Sequence, residues 1–294
     1  MQNVLGDRKA IVILLGPALL VYTLIMLVPV LWSLGLTFFE GNALFGFEAV
    51  NLDNFVKLAN DPRILEALWF TVRYAVVVTI GQVVLGYLLS LLYVFALRKS
   101  SGIIRTLVFF PVVVPTVAVA LMFQQLFAIA PQNGLVNELL NTFGVASVDW
   151  LGNDATAFLV VVLMDIWRSM GFYAVLLYAG LVDIPEEVLE SARLDGARGW
   201  SLVRHIVVPL SLPVILSAVI FSINGTLKVF DSILALTNGG PGSSTSPLTL
   251  YMFQTSFSYG EYGYGSTIAL VLTLLCLGVT LIVFRASRRD NTKA

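Results

Sequence analysis

Cysteine and histidine are almost missing from this sequence: Cys276 and His205 stand alone among 294 residues. A single cysteine excludes an intramolecular disulfide framework, and one residue of each kind excludes a Cys/His metal cluster. Charge is scarce too, at 12% of residues against roughly a quarter in an average soluble domain. The net charge of -1 supplies no basic field for nucleic acid. No Gly-x-x-x-x-Gly-Lys-Ser/Thr pattern occurs, so the chain has no Walker A loop with which to cradle ATP. Neither Gly-x-Ser-x-Gly nor a histidine pair occurs, which leaves an intramembrane hydrolase without its nucleophile and base. Cys276, in an apolar run, reads as a small packed or lipid-facing residue. The expectation is no catalytic residue, no metal and no cofactor bound by this chain.

What is abundant is apolar. Hydrophobic residues make up 58% of the chain and mean hydropathy is +0.89, which places it in a bilayer. Six stretches reach the roughly 20 apolar residues that a spanning helix needs. They run over about Ile11–Thr37, Phe70–Leu97, Thr106–Phe127, Thr156–Leu181, Val207–Thr237 and Gly265–Phe284. The first is too long for the core of a secretory signal and is read as a retained helix. An even number of spans puts both termini on one side. That side carries Arg8, Lys9, Arg98, Lys99, Arg105, Arg193, Arg198, Arg204, Arg285, Arg288, Arg289 and Lys293, whereas the opposite loops hold only Lys57 and Arg63. By the positive-inside rule both termini are expected in the cytoplasm. The outer loops are short, so residues 1–294 read as one all-α membrane domain.

The cytoplasmic segment from Asp183 to Pro209 reads as two short helices with a break. Pro185 suits a first helical position, and Glu186 and Glu187 favour the positive end of the helix dipole. Val188, Leu189, Ala192 and Leu194 alternate with Glu190, Arg193 and Asp195 at helical spacing, and Gly196 permits a reversal. Such a helix is either a solvated connector or a docking knob for a soluble partner.

Glu190-Ser-Ala-Arg-Leu-Asp195-Gly196-Ala197, followed by Ile206 and Pro209, closely resembles the EAA loop of binding-protein-dependent ABC importer permeases. The resemblance implies a MetI-like permease fold whose loop is a coupling helix seated on a separate ATPase subunit. Glu190 would then face a basic group on the ATPase, Gly196 would form the turn, and Ala192 and Ala197 would allow close approach, with Ser191, Asp195, Ile206 and Pro209 completing the motif. Ser191 and Val203 stand where the family often has alanine and phenylalanine. Phe230-Asp231 with Leu236-Thr-Asn-Gly-Gly-Pro241 resembles the carbohydrate-uptake branch, specifically the first permease of maltose and glycerol-3-phosphate systems. Asn51-Leu-Asp-Asn-Phe55, Asp61-Pro-Arg63, Pro111 with Pro115, and Gly134-Leu-Val-Asn137 extend the likeness along the chain.

The implied assembly has a second homologous permease, two ATPase subunits holding ATP and Mg, and an extracytoplasmic sugar-binding protein. It sits in lipid of the bacterial inner membrane and moves a sugar or oligosaccharide inward by alternating access. The other reading is an ion-coupled secondary transporter, using Asp165 and Asp231. It leaves the Glu190–Pro209 loop without a purpose.

Charges inside a membrane cost about 2.5–3.5 kcal/mol each on insertion scales and so mark function. Arg73, Asp165, Arg168, Lys228 and Asp231 qualify. Asp165/Arg168 and Lys228/Asp231 have the i, i+3 spacing of helical neighbours. Asn224, Lys228 and Asp231 share one face of a continuous helix. Sugars need directional polar groups and flat apolar surfaces. Asn224, Lys228, Asp231, Asp165, Arg168, Gln124 and Gln125, with Trp167, Phe230 and Tyr173, are therefore the candidates for the substrate pathway; packing ion pairs are the competing explanation. Asn224 is the foremost candidate, because Asn224-Gly225 in mid-span weakens the helix as at broken-helix sites. Gly81, Gly86 and Gly278 are expected to permit helix contacts.

Overall fold

The computed structural model describes residues 8–42, 44–97, 100–129 and 131–291. Arg98, Lys99 and Lys293 lie outside the described residues. Among the described residues, five helices are long and apolar enough to cross a membrane: α1 (Ile11–Leu36), α3 (Pro62–Ala96), α7 (Asp154–Val182), α9 (Trp200–Thr226) and α12 (Tyr262–Val283). The bent pair α4 (Ser101–Val113) and α5 (Thr116–Leu126) passes the same test of length and apolarity when its halves are taken together, which brings the candidates to six.

The bend in that pair is 94°, so the continuous third span expected over Thr106–Phe127 is instead a broken one. Its cause is local. A proline disfavours the α region at the residue before it, and Val114, before Pro115, sits at φ -70, ψ 134. Pro115 itself is extended, at ψ 132.

The chain forms two compact units, one from the residues up to Pro62 with Tyr251–Thr273, the other from Arg63–Leu250 with Leu274 onward. In the first unit, α1 is followed by an antiparallel hairpin of β1 (Phe39–Asn42) and β2 (Gly46–Ala49), then α2 (Asp53–Asn60). The hairpin is an addition to the all-helical expectation. Its turn is set by Gly46 at φ +94 and by Asn42, whose side-chain oxygen accepts from the Leu44 and Phe45 amides. The Asn54 amide ties the unit together by donating to the Thr37 and Phe39 carbonyls. Asp61 accepts from the hydroxyls of Tyr251 and Tyr264.

The second unit carries the main core. Phe70, Tyr74 and Val78 of α3, Val119 and Phe123 of α5, and Val160 and Met164 of α7 meet Ile233 and Leu236 of α10 (Asp231–Leu236). Close helix approach uses small residues, as membrane interfaces do. A side chain at Gly171 would run into the backbone of Val108 and Phe109, and one at Gly86 into that of Tyr173 and Ala174. Gly81 similarly faces Ile166, whereas a side chain begun at Gly278 would meet open space among the described residues.

Candidate functional site: a polar cavity and a coupling loop

The fifth expected span, Val207–Thr237, does not run through. α9 ends at Thr226, and the chain unwinds over Lys228–Phe230 before α10 begins at Asp231. Beside this break lies a cavity of about 250 Å³. α3 lends it Tyr74 and Gln82, α7 lends Asp165, Arg168, Ser169 and Tyr173, α9 lends Ser222 and Thr226, and the break and α10 lend Lys228, Phe230, Asp231 and Ser232.

Asp165 is the organising group. It is 6% exposed, and its Oδ2 accepts from the Tyr74 hydroxyl at 2.5 Å and from Ser232 Oγ at 2.9 Å. Arg168 Nε lies 3.8 Å from its other oxygen. A buried carboxylate is tolerable only with such partners. A second chain of bonds runs alongside. Ser169 donates to Gln82 Oε1 and to the Asp165 carbonyl, the Gln82 amide donates to Ser222 Oγ, and Ser222 donates to Thr79. The wall thus presents hydroxyls, an amide, a carboxylate and cations together with Tyr173 and Phe230, a surface suited to a polyhydroxylated ligand.

Six sequence candidates meet here: Asp165, Arg168, Tyr173, Lys228, Phe230 and Asp231. Four do not line the cavity. Asn224 donates to the Ile220 carbonyl and accepts from Thr280, so it braces α9 against α12. Gln124 caps α10, its amide donating to the carbonyls of Ala235 and Leu236. Trp167 packs on Phe123 with ring centroids 5.8 Å apart, and Gln125 is exposed. The common face proposed for Asn224, Lys228 and Asp231 fails because the helix ends between them. For the same reason Lys228 and Asp231 are not a helical pair; both are exposed and no ion pair joins them. Tyr74, Gln82, Ser169, Ser222, Thr226 and Ser232 were not singled out from sequence. Gln82 alone carries a usable signal, a lone amide inside an apolar span.

The second feature follows α7. α8 (Glu186–Leu194) is joined to α9 by a turn in which Gly196 has φ +91 and Gly199 has φ +53. The Gly196 and Ala197 amides donate to the carbonyls of Arg193 and Ala192, closing the helix end on a left-handed glycine. Leu189, Ala192, Leu202 and Val207 are buried together, with Ala197 and Ile206 packed against them. The opposite face exposes Glu186, Glu187, Glu190, Ser191 and Asp195, together with Leu194 at 89% and Trp200 at 68% exposure. Ala192 therefore packs within the chain and is not part of the outward face. Leu194 and Trp200 are outward-facing apolar residues that the motif did not flag.

Helices long and apolar enough to cross a membrane, a polar cavity at a broken helix and an amphipathic helix and turn between two such helices are together the marks of a membrane permease. Residues 82–289 match the family of the binding-protein-dependent transport system inner membrane component. The chain belongs to that family, the ABC importer permeases. It is 35% identical over 272 residues to the probable ABC transporter permease protein YurN of Bacillus subtilis, covering 91% of this chain and 92% of the relative. It is 34% identical over 239 residues to the trehalose/maltose transport system permease protein MalF of Thermococcus litoralis, covering 80% of each. With the sulfoquinovosyl glycerol transport system permease protein SmoG of Agrobacterium fabrum it shares 32% over 289 residues, 98% of this chain and 93% of the relative. The fold matches a crystal structure of a bacterial ABC transporter involved in import of the acidic polysaccharide alginate, with a TM-score of 0.82 at 20% identity over 98% of both chains.

Proposed function

We propose that the chain is the first permease of a bacterial sugar importer and that the cavity at the α9 break holds one sugar ring during transport. The observation that carries this reading is the cavity: bonded hydroxyls and a carboxylate lie beside two aromatic residues, in a volume just under the usual range of ligand sites and so fit for a single ring. Relatives named for trehalose/maltose, lactose and sulfoquinovosyl glycerol transport support the sugar class. The exposed face of the Asp183–Pro209 loop docks a separate ATPase that holds ATP and Mg. A second permease completes the pathway, and an extracytoplasmic binding protein delivers the sugar. One related structure, of the alginate transporter, was solved in complex with an oligosaccharide-bound periplasmic protein. Both termini and the loop face the cytoplasm, on the strength of the lysine and arginine distribution.

The test is uptake into proteoliposomes holding the complete transporter and its binding protein, with labelled trehalose, maltose, lactose and sulfoquinovosyl glycerol as probes. ATP-dependent uptake of one of them is expected. Uptake that needs no ATPase and follows a proton gradient would identify an ion-coupled carrier instead.

A further inference from the structure

A second pocket, of about 480 Å³, lies at the N-terminal ends of α3 and α7, under the loop that follows α10. Trp69 and Arg73 come from α3, Asp154 opens α7, and Ser243 and Ser244 come from the loop. Its walls are fixed in advance. Arg73 lies over the Phe158 ring, 3.8 Å from the centroid, and Ser243 donates to Glu66 at 2.8 Å. The loop is braced by Thr245, which bonds to Thr237 and to the Gly240 carbonyl, and by the Leu248 amide, which donates to Thr71.

Two polar atoms of this pocket are left wanting. Arg73 Nε and Ser244 Oγ are buried and have no hydrogen-bond partner. Unmet buried groups cost about 1–3 kcal/mol each; these two lie just behind the pocket surface, so a small shift of Arg73 or Ser244 on ligand entry would let them pair. A guanidinium, two carboxylates and two hydroxyls around an exposed indole also match the donors, acceptors and flat face that a sugar ring needs.

From these residues we infer a second carbohydrate subsite, which receives the sugar before it reaches the central cavity. The inference rests on the sugar-importer reading. Asp154 and Asp165 are eleven residues apart on one helix, so the two subsites lie about 16 Å apart along it. Phe70, which lines the outer pocket, stacks on Tyr74, which lines the inner one, with ring centroids 5.8 Å apart. The two pockets therefore lie on either side of one packed aromatic wall, which must part for a sugar to pass from the outer pocket to the inner one.

The test uses the complete transporter with Cys276→Ser, held by a non-hydrolysable ATP analogue. Ser243→Cys and, separately, Asp154→Cys report on the outer pocket, and Ser169→Cys on the central cavity, through their rates of thiol modification. The carried sugar from the probe panel is expected to slow modification at all three positions at least threefold. Arg73→Gln is expected to raise the concentration needed at the outer reporters about tenfold or more, the loss of a charge-assisted hydrogen bond, while leaving Ser169→Cys unaffected. Protection at Ser169→Cys alone overturns the second subsite and leaves the importer reading standing. Equal protection of the outer reporters by sugar-free binding protein makes the pocket a protein contact and also overturns it. If no panel sugar is taken up and none protects any position, the sugar reading fails and the inference falls with it.

Discussion

At the scale of residues, Asp165 carries the most. Two hydroxyls and a guanidinium converge on it, so its removal strands more than one polar group. Asp165→Ala is expected to destabilise the subunit by about 3–5 kcal/mol, the usual consequence of breaking a buried pair, and to abolish uptake. Thermal unfolding of the purified complex measures the first effect, and proteoliposome uptake the second. Tyr74→Phe removes one bond to a charged group and is expected to cost about 1.5–3 kcal/mol. Asn224→Ala should behave differently. It is expected to lower thermal stability by about 1 kcal/mol while leaving the sugar concentration for half-maximal uptake unchanged. A several-fold shift in that concentration would return Asn224 to the pathway.

The contrast between Asp165 and Asn224 shows what sequence could reveal. Both are polar groups in apolar spans and both call for partners, the carboxylate more than the amide. Only the fold tells which partner each one finds. Arg168 is three residues from Asp165 on a continuous helix, so that pair is legible. Asn224 meets Thr280 across 56 positions, and no local pattern encodes that. Serines and threonines satisfy themselves on their own helix backbone in many places, as Thr71 and Thr273 do, so Ser222 and Ser232 carried no distinguishing mark.

At the scale of elements, prolines and glycines decided which readings survived. Pro115 is legible as a break, because a proline acts on the residue before it; the 94° size of the bend is not written in the sequence. The break after Thr226 has no proline at all; it is held by tertiary bonds such as that from Thr249 to the Val229 carbonyl. Gly196 was readable as a turn because its chemistry is local. Gly196→Val puts a β-branched residue at φ +91 and is expected to distort the loop at a cost of about 1–2 kcal/mol or more. ATPase stimulation by sugar-loaded binding protein should then fall at least tenfold while membrane insertion continues. Normal stimulation would remove the loop from coupling. Leu194→Asp, on the outward face, is expected to loosen the ATPase in pull-down from detergent without changing the fold of the subunit.

At the scale of the whole molecule, orientation decides which face meets the ATPase and which the binding protein. In a cysteine-free background, a thiol placed at Leu194 is expected to react with a membrane-impermeant reagent only from the cytoplasmic side, and one placed at Ser243 only from outside. Reaction of both from the same side would overturn the six-crossing arrangement. The span count was legible because hydropathy and charge are properties of whole segments.

The helix α7 links the outer pocket, the central cavity and the loop. Its 29 residues contain no proline and run unbroken from the Asp154 pocket, past Asp165, to the loop that begins at Asp183. At 1.5 Å per residue it is a strut about 43 Å long. A tilt of about 5° around its middle would swing either tip by about 2 Å while barely moving the centre. Asp165, near the fulcrum, would keep its hold on Tyr74 and Ser232 through such a swing. Such a strut would gear a small push at one end to a small opening at the other, with the buried carboxylate placed where the travel is least.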